Sequence, residues 1–373
     1  MTQPPLKVLF LTRYPHDGAS SRYRVYQYLP YLEALDVHCD VQSYMDWEMY
    51  KVIFSPERAG RKFWLMLQAT LKRLRALTRF SDYDIIYMQR ELFPIGPPLL
   101  ERYMKKRGAV LFFDYDDALF IKKPSRYNPI ATYLRSPGKT FELFHIVDCV
   151  VAGNDWLRDS AEHRGARAVT LEVAEDTDRI RPHAPHNNNR PVTIGWLGST
   201  STVKYLNLIA PVLRRLAKEY PDVRFEIMGG GDFQMDGVPW QISQWSLDDE
   251  LQALSRFDIG LMPLPADDWA KGKSGGKART YMAAGVVPVC TGVGYNLELI
   301  RDEDTGYLCN TDQEWYSAVT TLIADPDLRQ RIAVNARAAI VTRCSLSGQA
   351  GILRTLFDEA IARHQPYTRS QAN

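Results

Sequence analysis

The sequence predicts an α/β protein made of two Rossmann-like domains in succession. Three observations carry this. Short apolar runs alternate with longer stretches of helical spacing, a polar, proline-rich segment interrupts the alternation, and a second series starts beyond it. In the first series KVLFLT (7–12), DIIYM (84–88), AVLFFDY (109–115) and CVVAG (149–153) are apolar on both faces, as strands of a covered parallel sheet are. Amphipathic stretches such as 22–35 lie between them. The interruption is DRIRPHAPHNNNRP (178–191), with three prolines, three asparagines and no apolar period. The second series opens with VTIGWLG. A long helix follows, its apolar face formed by Tyr205, Leu208, Ile209, Val212, Leu213 and Leu216. RFEIMGGG, DIGLMPL and VVPVC complete it. The expected domains are 1–180 and 190–350. A terminal helix and tail, 351–373, is expected to pack back on the first domain, its helix drawn over 348–363. Two such sheets joined by a linker are expected to face each other across a cleft, with ligands outside the carboxyl ends of the strands.

Composition narrows the class. The 373 residues are 45% hydrophobic and 24% charged, which excludes a disordered or collagen-like chain. No apolar run approaches the ~20 residues of a membrane-spanning helix. The first residues, MTQPPLKVLFLT, have no basic region before the apolar burst and no cleavage site after it, so they read as a strand and not a secretion signal. A net charge of +2 does not call for a nucleic-acid partner. Five widely spaced cysteines form no CxxC and no Cys/His ligand spacing. No metal site is expected, and reduced thiols fit a cytoplasmic protein.

Anion-binding signals concentrate in the second domain. In WLGSTSTVKYL, Gly198 permits a tight turn, and Ser199, Thr200, Ser201 and Thr202 bring hydroxyls and N–H groups to a helix start. Simple N-capping is the plainer alternative. In KGKSGGKARTYMAAG, Ser274 can cap, and Gly275 and Gly276 allow close backbone approach. A helix is drawn over 277–284, ending at Gly285. Lys271, Lys273 and Lys277 crowd the positive end of that helix, which is unfavourable unless an anion offsets it. Gly230, within MGGGDF, adds a third glycine turn at a strand end.

The stretch 273–298 resembles the donor-site signature of GT-B glycosyltransferases, specifically the retaining family four. Lys273 and Lys277, the helix Tyr281-Met282-Ala283-Ala284-Gly285, the strand Val287-Pro288-Val289 and the downstream Glu298 stand where that signature has them. AEDTDRIRP (174–182) is similar to the family's interdomain segment, and ADPDLRQRIAVNAR (324–337) to its C-terminal helix, with Asp325 capping and Pro326 in the first turn. The resemblance implies transfer of a sugar, with retention, from a nucleotide-diphosphate sugar to a glycan, lipid-linked or small-molecule acceptor, without a further cofactor. It implies that Lys273 and Lys277 stabilise the leaving diphosphate. The base is expected against Gln244 and Trp245, in QISQWSLDDEL. One departure stands out. The family's two glutamates are replaced by Gly272 and Thr280, so ribose recognition passes to Thr280 and sugar recognition to Asp267, Asp268 or backbone N–H groups. A GT-B epimerase and a non-catalytic nucleotide-sugar-binding homologue are the alternatives.

The first domain supplies the acceptor side. Gly18, Ser20 and Ser21 form a small-residue loop after the first strand, and Arg22 and Arg24 are placed at the following helix start, toward an anion or as a surface pair. In FFDYDDALF the acids Asp114, Asp116 and Asp117 crowd one strand end. The resemblance puts a His or Asp there against the anomeric centre, and Asp116 is the residue chosen. Arg90 follows another strand and is expected in the same cleft. The segment 58–79 has seven Lys/Arg and no acid, with Phe63, Trp64, Leu67, Leu71 and Leu74 on one face. It is read as a helix in peripheral contact with an anionic membrane, or as an ordinary helix packed on the sheet.

Overall fold

The computed structural model describes residues 4–53, 59–121, 138–182 and 190–369; Arg58, the 183–189 part of the polar segment and the last four residues of the tail lie outside them. The chain divides into two compact units, Met1–Ala174 with Leu346–Asn373, and Glu175–Ser345.

The first unit holds a six-stranded parallel sheet of order β2-β1-β3-β4-β5-β6, formed by β1 (Leu6–Thr12), β2 (Val37–Ser43), β3 (Ile85–Gln89), β4 (Val110–Tyr115), β5 (Cys149–Ala152) and β6 (Ala168–Thr170). Strand order reverses between β1 and β3, so the crevice for a ligand lies beyond their carboxyl ends. Helix Leu346–Arg369 belongs to this unit's core. Its Phe357 ring stands 5.2–6.4 Å from those of Phe112, Tyr87 and Phe10.

The second sheet has the order β12-β11-β10-β7-β8-β9, from β7 (Thr193–Leu197), β8 (Arg224–Met228), β9 (Trp240–Ser243), β10 (Ile259–Met262), β11 (Val287–Thr291) and β12 (Tyr307–Cys309). This is the dinucleotide-fold order, with its reversal between β7 and β10.

The domain limits differ from 180, 190 and 350. Glu175 N–H bonds the Cys344 carbonyl at 2.8 Å, and Arg337 donates to the carbonyls of Thr177 and Ile180 at 2.6 and 2.8 Å. These bonds hold 175–180 on the second unit. Leu346 opens the terminal helix and is buried with the first sheet, so the second unit ends at Ser345.

Two predicted helices are broken, each near a proline. The 22–35 stretch becomes α1 (Ala19–Arg24), a 3-10 turn (Tyr26–Tyr28) and α2 (Leu29–Glu33), with Pro30 in the first turn of α2. Arg22 and Arg24 therefore sit in the last turn of α1 and not at a helix start. After β7, Val203–Ile209 is 3-10 and an α-helix runs only over Ala210–Glu219. Pro211 cannot donate to position 207 and disfavours helical backbone before it. Leu208, predicted on the buried face, is 49% exposed.

Arg24 is fully buried. Its Nε donates to Asp114 Oδ1 and Oδ2 at 3.1 and 3.0 Å, Nη2 also reaches Asp114, and Nη1 bonds the Leu171 carbonyl. Tyr87 donates to the same carboxylate. Arg24 and Asp114 are thus a structural ion pair across the sheet, which corrects the placement of Arg24 toward an anion or on the surface and of Asp114 among the acids facing an acceptor. Removing one partner leaves a buried charge. Arg24→Met should lower stability by about 3–5 kcal/mol in chemical denaturation. A denaturation midpoint equal to the parent's would refute the pair's structural role.

Candidate functional site

The second unit's site is built from three chain turns at the carboxyl ends of β7 and β8 and at the helix Gly276–Ala284. Their closeness is set by glycine. A Cβ on Gly198, after β7, would lie 2.7 Å from Lys277 Cε and 2.8 Å from the Trp196 ring. A Cβ on Gly229, after β8, would lie 2.2 Å from the Gly198 carbonyl oxygen and 3.0 Å from Trp245 Cβ; its φ is also +86°. Gly231 presses likewise on Thr200, and Gly230 on Ile227 and Val203. Gly198, Thr200, the 229–231 turn, Trp245 and Lys277 therefore form one cluster.

Lys277 is half-buried in it. Its ammonium stands 5.0 Å from the Trp196 ring centroid, and it makes no ion pair among the described residues. Burial, and then the charge of Lys273, lower its pKa to about 8. Lys273 lies over the Trp269 ring at 4.6 Å. The N-cap of the helix is Gly275, at φ +64°, so the helix begins at Gly276 and Ser274 does not cap it. Two cations and the free N–H groups of a helix start thus share one place, the arrangement that binds a diphosphate.

Several predicted donor residues sit otherwise. Ser199, Ser201 and Thr202 precede 3-10 backbone and not an α-helix, so they have no strong dipole behind them; Ser199 Oγ bonds Ser201 Oγ at 2.8 Å. Trp245 is 37% exposed and its indole N–H donates to Glu250 Oε1 at 3.1 Å, while Gln244 beside it is exposed. Asp267 caps the helix Asp268–Lys271 by accepting from Ala270 N–H at 2.8 Å, and Asp268 pairs with Lys271, so both are occupied by local structure. Glu298 is exposed on the short helix Asn296–Leu299. Thr280 is buried, and its Oγ1 donates to Glu175 Oε2 at 3.0 Å, with the Gly276 carbonyl also at 3.0 Å. Its hydroxyl serves Glu175 and not a ribose. Sequence reasoning missed Glu175 because nothing in AEDTDRI distinguishes a buried glutamate from a solvated one.

In the first unit the loop after β1 meets the ends of β3 and β4. Ser20 Oγ donates to the Asp116 carboxylate at 2.8 and 3.0 Å, and Gln89 Nε2 donates to Ser20 Oγ at 2.8 Å. Ser21 Oγ donates to Gln89 Oε1 at 2.8 Å and accepts from Tyr14 N–H. Gly18 turns the loop: a Cβ there would lie 2.4 Å from that of Tyr14. Arg90 Nη2 reaches Asp117 at 2.6 Å and Asp116 at 3.3 Å. Tyr14, Asp116 and Asp117 together raise the Arg90 pKa against its burial. Its φ of +66° is a strained conformation for a non-glycine residue. Asp116, Ser20, Gln89, Arg90 and Asp117 therefore form a network at the β1/β3 reversal. Asp114 and Arg24 lie outside it, in their own pair. Arg22 is buried, with its guanidinium 4.7 Å from the Tyr23 ring. Among the described residues no three His, Cys, Asp or Glu side chains group as metal ligands, since Arg24 and Arg90 hold the three aspartates.

The two parallel α/β sheets form the GT-B fold. Residues 191–325 match the model of the family described as glycosyl transferases group 1. The fold is shared with sucrose-phosphate synthase of Thermosynechococcus elongatus (13% identity, 96% of this chain and 100% of that one, TM-score 0.68). It is shared with a glycosyltransferase of Rickettsia africae (14%, 96% and 99%, 0.68) and with Anabaena HepE in complex with UDP-glucose (15%, 95% and 100%, 0.68). No curated protein matches the sequence.

Two outcomes test this geometry. A bound diphosphate favours the charged form of Lys277, so its affinity should be full below pH 8 and fall as pH rises through about 8. Calorimetry near pH 8 should show proton uptake on binding, absent in Lys277→Met; a flat profile in the parent rejects the assignment. In the free protein the same lowered pKa means that the unfolded state binds more protons between pH 8 and 10.5, so this lysine's burden on stability is relieved across that window. Second, Thr280→Glu places a carboxylate against buried Glu175. It should destabilise by about 3 kcal/mol or more, whereas Thr280→Val costs about 1–3. Higher activity with unchanged stability in Thr280→Glu would contradict the pairing.

Proposed function

We propose that the chain transfers a sugar, with retention of configuration, from a nucleotide-diphosphate sugar bound by the second unit. The observation that carries this is the pair Lys273 and Lys277 at a glycine-flanked helix start, with Lys277 uncompensated by any carboxylate among the described residues. The bond from the anomeric carbon to the diphosphate oxygen breaks, and a bond to an acceptor hydroxyl oxygen forms. The acceptor proton passes to the departing diphosphate. Lys273, Lys277 and the N–H groups at Gly276 stabilise the charge that develops there, before the bond breaks and without rearrangement. The complexes of Anabaena HepE with UDP and UDP-glucose support a uridine diphosphate donor. Trp245 offers an indole face to its base.

Asp116 is assigned to the chemical step, stabilising positive charge at the anomeric carbon or orienting the acceptor hydroxyl. Ser20 and Arg90 hold its carboxylate in place. The acceptor is a glycan, a lipid-linked sugar or a small molecule, and the finer proposal is use of a lipid-linked one at the cytoplasmic face of a membrane, with the chain in peripheral contact. Among the described residues no helix is long and apolar enough to cross it.

Thermal shift against UDP, GDP, dTDP, ADP and CMP tests the donor reading; stabilisation should be selective for one diphosphate. Failure of all five to stabilise the chain would end it. Asp116→Asn should lower turnover by about 10²-fold or more and leave nucleotide affinity nearly unchanged. Full turnover in that variant would remove Asp116 from the reaction.

A further inference from the structure

The first unit holds a second group of cations that the transfer reaction leaves unused. Arg13 follows β1, and Arg73 lies on the inner face of α4 (Ala59–Leu77). Their guanidinium carbons stand 5.5 and 5.6 Å from the centroid of one ring, Tyr44. The Tyr44 hydroxyl is tied to α4 through Thr70 Oγ1 at 3.0 Å. Arg73 is 1% exposed; its Nη2 donates to the carbonyls of Thr12 and Gln42 at 2.6 and 3.3 Å, while its Nε has no hydrogen-bond partner among the described residues. Arg13 makes no side-chain hydrogen bond or ion pair among them, and its Nη1 is buried. Burial and Arg13 lower the Arg73 pKa to about 9. Glu91 acts on Arg13 and Glu101 on Arg73, but among the described residues neither carboxylate pairs with its arginine, and two such cations on one ring are stabilised when an anion joins them. They stand at the carboxyl ends of β1 and β2, beside the acceptor-side network.

The outer face of α4 is apolar and uncovered. Phe63, Trp64, Leu67, Leu71 and Leu74 are exposed by 62, 58, 38, 57 and 38%. At 100° per residue they fall within an arc of about 100°. Leu65, Ala69 and Arg73 form the buried face instead, where Leu65 and Ala69 pack with Tyr44, Met45, Met49 and Val52. An apolar stripe of this extent on a soluble surface marks a contact site. The helix has five cations and no acid. Arg61 and Lys72 pair with Glu48 and Asp46, at exposed positions where such pairs are weak and exchangeable. Arg75, at the edge of the arc, is exposed and makes no ion pair among the described residues. An apolar arc with cations alongside it matches an anionic lipid surface, which takes apolar side chains below its phosphates.

We propose that α4 docks on an anionic membrane through this stripe, and that Arg13 and Arg73 on its inner side bind the phosphate of a lipid-borne acceptor. The word acceptor rests on the glycosyl-transfer reading; the docking does not. The phosphate would stand about one helix diameter, ~10 Å, from the outer face of α4, within reach of a headgroup rising past its edge.

Vesicle flotation of the full chain tests both parts, using phosphatidylcholine alone, with phosphatidylglycerol, or with phosphatidic acid, whose headgroup is a phosphate monoester. The chain should float with both anionic vesicles and more with phosphatidic acid. Phe63→Ser with Leu71→Ser, both at exposed positions, should lower recovery by about tenfold or more. Arg13→Gln should keep flotation on phosphatidylglycerol and lose the preference for phosphatidic acid, and Arg13→Lys should regain part of it. No flotation, equal recovery on neutral vesicles, or indifference to the stripe variants overturns the docking. Stabilisation by glycerol 3-phosphate that Arg13→Gln abolishes, without flotation, would assign the subsite to a soluble phosphate and overturn the lipid source. Oligomers in the parent that the stripe variants dissolve, again without flotation, would make the stripe a protein interface and overturn the membrane. Flotation as expected in a chain that binds no nucleotide would sink the transferase reading and leave the docking in place.

Discussion

The candidate site of the second unit depends on one uncompensated charge, the ammonium of Lys277 against Trp196. A carboxylate beside it would make the helix start stable and useless, because an incoming diphosphate would have to displace it. Among the described residues there is none. The fold gives the ammonium an indole face and leaves the rest of its field to a ligand. Gly198 has no side chain because Lys277 Cε occupies that space, and Gly229 has none because the Gly198 carbonyl does. The glycines of three separate motifs thus answer one packing requirement, bringing two strand ends and a helix start close enough to act on one anion.

The first unit treats its charges in a different way. Arg24 is closed off by Asp114, Tyr87 and the Leu171 carbonyl, and Arg90 by Asp116 and Asp117. Asp114 and Asp116 are two residues apart, and β4 ends between them at Tyr115. The first lies inside β4 and is spent on the core. The second has passed the strand end and is free to face a ligand, held by Ser20 and Arg90. A cluster that looks uniform in sequence is therefore divided by where the strand stops.

That division explains what was legible and what was not. All eight strands anticipated from apolar runs are interior strands of their sheets. The four not anticipated, β2, β6, β9 and β12, are the edges. An interior strand is covered on both faces and reads as continuous apolar sequence, whereas VHCDVQS or WQIS is half solvated and reads as a loop. Helix limits failed near Pro30 and Pro211, where periodicity continues although the backbone cannot. The clustering of lysines and glycines at the start of the helix Gly276–Ala284 was legible because it is local in sequence. Glu175, Arg13 and Arg73 were not, since their meaning comes from partners distant in sequence: Thr280, 105 residues from Glu175, and Thr12, 61 residues from Arg73.

Position 280 shows how such a distant partner changes the sense of a local motif. Read alone, threonine in place of the expected glutamate looks like a lost ribose contact. With Glu175 fully buried against it, a glutamate at 280 would set two carboxylates side by side in a buried site, and one of them would have to be neutral. Threonine supplies a donor where a second acceptor would repel. The helix start keeps cations alone as a result, since no acid occurs from Trp269 through Thr280 while Lys271, Lys273, Lys277 and Arg279 do. Lys271 is held by Asp268, leaving the other three to define the local field. A donor must meet that field with negative charge, which a diphosphate does and a nucleoside does not.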